Sequence, residues 1–61
     1  MIKLKKAING VYEEHMKCED FDGFLHDISI LIIEGLEDGL SEDELTQRFV
    51  DYKQELKDIN S

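Results

Sequence analysis

The chain has no proline, no tryptophan and one cysteine, and its longest uninterrupted apolar run is the four residues Ile30-Leu31-Ile32-Ile33. Without proline, nothing covalent interrupts a long helix. With Cys18 alone, an intramolecular disulfide is excluded, and a lone thiol fits a reducing, cytoplasmic setting. Four apolar residues cannot cross a bilayer, which takes about 20 in a helix. The start of the chain, Met1-Ile2-Lys3-Leu4-Lys5-Lys6, lacks the apolar stretch of a secretory signal. The expectation is a cytoplasmic protein with no membrane segment. At 61 residues it forms one domain, residues 1–61, with a core too small to be robust. Small domains add a staple, and with disulfides excluded the expected one is a homodimer.

What is present is charge, mostly of one sign. Fifteen acidic residues stand against seven basic ones, a formal net charge of −8. The distribution is uneven. Up to Lys17 four lysines outnumber Glu13 and Glu14, whereas from Cys18 onward Arg48, Lys53 and Lys57 face all the other acids. An acidic chain is a poor binder of nucleic-acid phosphates, so no nucleic-acid partner is expected.

Apolar residues make up 41% of the chain, enough to fold, and their spacing is helical. Ser41-Glu42-Asp43-Glu44 is a capping box, with Leu40 and Leu45 spaced as its hydrophobic staple. Leu45, Phe49, Tyr52, Leu56 and Ile59 then form one stripe. Phe21, Phe24, Leu25, Ile28, Leu31, Ile32 and Leu36 form another, widened by Ile30 and Ile33, as expected for the most buried helix. Asp20 or Asp22 caps its start, and Gly39 ends it in a left-handed conformation. In the first segment Leu4, Ile8, Val11 and His15 share a helical face, although Asn9-Gly10 is also a hairpin turn. The reading is all-α, with helices over about 2–17, 21–38 and 42–58, as a three-helix bundle. Its variants are a helical hairpin that dimerises into a four-helix bundle, and an N-terminal β-hairpin packed on two helices.

Candidate chemistry is sparse. His15, Cys18 and Asp22 share a helical face, with His26 one turn on, and such donors suit zinc. Neither a CxxC nor a paired-histidine motif accompanies them, so surface histidines and a half-buried thiol are the ordinary reading. Asp20, Asp22 and Gly23 resemble part of a calcium loop, but that register puts Cys18 at the first ligand position and Ser29 at the last. No metal or other cofactor is expected. His26 and Asp27 are adjacent and point apart on a helix, and Ser29 and Ser61 lack a nucleophile's context, so no enzyme is expected. The short turn between the last two helices fits a helix-turn-helix, but the second of these helices has the wrong sign for DNA.

The remaining feature is the acidic surface of Glu34, Glu37, Asp38, Glu42, Asp43 and Glu44. Its ordinary role is solubility. Its sharper role is docking on a basic surface of a partner protein, as DNA-mimic inhibitors, antitoxins and immunity proteins do. The segment from Phe24 to Tyr52, with Phe-Leu, following isoleucines and then Ser-Glu-Asp-Glu-Leu, is similar in pattern to two helices of nuclease-colicin immunity proteins. The likeness covers under half the chain and lacks the tyrosine-rich binding segment of that family. The leading expectation is thus a small acidic regulator or inhibitor. The alternative is a self-associating structural bundle joined through Ile30 and Ile33.

Overall fold

The computed structural model describes residues 2–60 as three helices, α1 (Ile2–Met16), α2 (Phe21–Glu37) and α3 (Glu42–Asn60). The expected all-α bundle is what forms, with helix ends within two residues of those read from the sequence. No strand occurs among the described residues, so the N-terminal hairpin is overturned. Nor is any helix among them long and apolar enough to cross a membrane. Asn9 and Gly10 lie inside α1, where the helix places Leu4, Ala7, Val11 and His15 on one side. Gly10 serves packing rather than a turn. The stem of Lys53 lies over it, with its Cδ 2.7 Å from where a Cβ would stand.

Lys3 shares a surface groove with Glu42 and Asp43, while Asn60 reaches Glu14. The outer helices α1 and α3 therefore run parallel, and α2 returns between their ends. The core is Ala7, Val11, Phe24 and Phe49, ringed by Leu4, Ile8, Ile28, Leu31, Ile32, Leu45, Tyr52 and Leu56. Ile59, expected on the α3 stripe, lies beyond Leu56 and is exposed.

Most of the bundle's packing lies between α1 and α3, and α2 touches each of them more sparingly. This corrects the expectation that α2 is the most buried helix. Although it is the most apolar of the three, it buries only Phe24 and Gly35. Two neighbours on one side cannot cover an apolar face that extends well round the helix. At Gly35 the two helices approach closely, with Leu45 Cδ1 2.8 Å from the position of a Cβ.

Both turns are Schellman motifs. After α2, Leu40 N–H donates to the Gly35 carbonyl (2.9 Å) and Gly39 N–H to that of Leu36 (3.2 Å). After α1, Asp20 N–H donates to the His15 carbonyl and Glu19 N–H to that of Met16, both at 3.1 Å. Each motif needs one left-handed residue. Gly39 supplies it at φ +67°, whereas the first turn uses Glu19 at φ 54°. For a residue with a Cβ that conformation costs about 1–2 kcal/mol.

Replacing Glu19 with glycine is therefore expected to stabilise the fold by about 1 kcal/mol, raising the melting temperature by about 4–8 °C. Gly39→Ala is expected to lower it by a similar amount. Thermal unfolding followed by circular dichroism checks both. A neutral or destabilising Glu19→Gly would contradict the left-handed assignment.

Candidate functional site

Each helix turns a hydrogen-bonding residue inward at one point, and the three meet. His15 of α1 is 7% exposed, with Nε2 3.1 Å from Asp27 Oδ2 on α2. The Tyr52 hydroxyl of α3 donates to the same Asp27 oxygen. His15 Nδ1 lies 3.6 Å from Asp20, whose other carboxylate oxygen caps α2 by accepting from Gly23 N–H at 3.0 Å. Nε2 approaches Asp27 closely yet makes no well-directed hydrogen bond. Burial, and then the hydrogen bond to Asp27, push the Tyr52 hydroxyl pKa well above its ordinary 10.0.

In the sequence, Asp27 draws notice only as the neighbour of His26. The better signal is that Asp27 sits between Phe24 and Leu31, at three- and four-residue spacing on the inward edge of α2. A carboxylate there needs a partner. His15 is accordingly a buried histidine rather than the expected surface one.

A second set of contacts ties the ends of the parallel helices. Glu14 is 4% exposed and accepts from Lys17 Nζ at 3.1 Å and from Asn60 Nδ2 at 3.5 Å. The Lys17 hydrogen bond, together with that from Asn60, holds the Glu14 carboxyl below its usual range against the opposing effect of burial. Cys18 is exposed rather than half-buried, and its thiol donates to Asn60 Oδ1 at 3.6 Å. His15 and Cys18 are thus engaged separately. No group of three or more His, Cys, Asp or Glu side chains suited to a metal ion occurs among the described residues. Ser29 donates to the Leu25 carbonyl at 2.8 Å, and Ser61 lies outside the described residues.

The six acids singled out from the sequence gather at the end of the bundle where α2 gives way to α3, all of them exposed. They have different duties there. Glu44 closes the capping box, accepting from Ser41 N–H at 3.1 Å while its own N–H donates to Ser41 Oγ at 3.2 Å. The Ser41 N–H, and then the Ser41 hydroxyl beside it, hold its carboxyl below the usual range. Asp38 faces Arg48 at 3.7 Å, and Glu42 and Asp43 border a groove with Lys3. Glu42, Asp43 and Glu44 also form the first turn of α3, beside the parallel start of α1, where the positive ends of two helix dipoles lie together. Glu34 and Glu37 serve neither duty. Neither forms an ion pair among the described residues, and both stand on the outer face of α2 with Ile30 and Ile33.

The chain matches no known protein family, characterised protein or solved structure, so function rests on this geometry.

Tyr52→Phe is expected to cost about 1–2 kcal/mol at neutral pH, because a carboxylate loses its donor. The raised hydroxyl pKa also fixes a sign. The stability tied to protonated Tyr52 is complete below pH 10.0 and is lost as the pH climbs above it toward the folded value. Urea unfolding on either side of pH 10.0 should show a loss in the wild type that is smaller in Tyr52→Phe. Equal losses would contradict the Tyr52–Asp27 bond.

Proposed function

We propose that this is an acidic helical binding module, a small regulator or inhibitor that docks on a basic surface of another protein. The observation that carries the reading is the outer face of α2, where Ile30 and Ile33 are 39% and 54% exposed beside Glu34 and Glu37. Apolar contact supplies affinity, and the carboxylates, backed by the net charge of −8, speed and orient the encounter. Glu42, Asp43 and Glu44 contribute mainly through the field they create, since dipole and cap already occupy them. Nothing in this reading calls for a cofactor or a catalytic group.

The test is affinity capture from the native host, identification by mass spectrometry, and calorimetry on the purified partner. A basic partner is expected, held about tenfold more weakly by Glu34→Gln/Glu37→Gln at low salt and little changed by that variant at high salt. Ile30→Ala/Ile33→Ala is expected to weaken binding at every salt concentration. Affinity indifferent to both salt and the glutamine changes would overturn the acidic docking face.

A further inference from the structure

We infer that the seam between α1 and α3, on the side away from α2, docks an acidic amphipathic helix of a partner protein. α2 packs on one side of the parallel pair, through Tyr12, His15 and Tyr52. The other side is an open groove of about 400 Å³ lined by Lys3, Lys6, Ala7, Thr46, Val50 and Lys53. Its floor asks for no hydrogen bond. Val50 is 45% exposed there, and the Thr46 hydroxyl already donates to the Glu42 carbonyl at 2.8 Å. Lys57 lies one turn beyond Lys53 on the same stripe of α3, so four of the six lysines in an acidic chain flank this seam.

The lysines that line the groove are not spent on the fold. Lys3, Lys6 and Lys53 form no ion pair among the described residues. Lys53 is drawn across the seam, its stem lying on Gly10 with Nζ 3.3 Å from where a Cβ would stand. The three cations therefore stand beside positions 3, 6 and 10 of α1. Along the helix axis the second and third lie about 4.5 and about 10.5 Å from the first.

That spacing selects the occupant. A helix laid in the groove carries side chains at i, i+3 and i+7 at the same intervals, with small Ala7 allowing it close. It would add a fourth helix to the bundle. A small anion meets only one of these cations. A single-stranded nucleic acid finds no aromatic ring in the groove to stack on.

The charge complementarity is local. Acids border the seam at its ends, Glu42 and Asp43 beside Lys3, and Glu13 and Glu14 past Gly10. Glu14 is already taken by Lys17 and Asn60. The net charge of −8 opposes an acidic partner at long range. Screening over about 8 Å at physiological ionic strength leaves the nearest lysines to decide the contact.

The probe is a synthetic helix of about 18 residues, with glutamates at i, i+3 and i+7 and alanines and leucines on the same face. Calorimetry and amide chemical shifts follow its titration. Binding with a Kd below about 1 mM is expected, with the largest shifts at residues 3–10 and 46–53. Lys6→Gln/Lys53→Met keeps an aliphatic stem over Gly10 and should weaken binding about tenfold, with unchanged helical circular dichroism. Lys5→Gln, outside the groove, and Glu34→Gln/Glu37→Gln, on the proposed docking face, should bind as the wild type does. A peptide of the same composition with its glutamates scattered round the helix should bind about tenfold more weakly. No binding, equal binding of the scattered peptide, shifts centred on α2, or equal loss in Lys5→Gln overturns the groove. Tighter binding of single-stranded oligo-dT or of anionic lipid vesicles overturns the acidic helix as its occupant. So does self-association in sedimentation that Lys6→Gln/Lys53→Met abolishes.

Discussion

Asp27 is the polar point at which the three helices are joined. It accepts the Tyr52 hydroxyl from α3 and lies 3.1 Å from His15 Nε2 of α1, on the flank of the core residue Phe24. α2 is attached there, through Phe24, Ile28, Leu31 and Ile32 in the core, and at Gly35, where Leu45 closes on the helix backbone. The parallel outer pair has its own supports in Val11, Phe49 and the Glu14–Asn60 contact. The result is asymmetric. Two helices are held along their length, and the most apolar one is held by an edge.

That asymmetry links architecture to function. A chain with this much charge gains nothing in solubility from exposing Phe21, Leu25, Ile33 and Leu36 on one helix. Contiguous apolar surface rimmed by charge is where proteins meet other proteins. α2 offers two such faces, one of them neutral and the other mixed with Glu34 and Glu37. On the proposed reading the mixed face meets a basic partner.

Local signals carried much of the fold. Ser41 and Glu44 form the capping box that their spacing announced, Gly39 is left-handed, and Asp20 caps α2. These features were legible because each is decided within a few residues. Burial was not, because it depends on which neighbours arrive. The stripe on α2 showed that the helix has an apolar face, but not that α1 and α3 would spend most of their own faces on each other. Gly10 read as a turn because the Lys53 stem that covers it comes from 43 residues away. Glu19 at positive φ carried no residue-type signal at all. At the candidate site, the sequence located the exposed acids and missed the buried bond between Tyr52 and Asp27, 25 residues apart.

On the proposed reading α2 is held by one edge and keeps its apolar faces for a partner. Amide hydrogen exchange resolved by residue tests it most directly. In dilute protein, amides of α2 should exchange faster than the central amides of α1 and α3. If α2 is the slowest-exchanging helix in dilute solution, the account is contradicted.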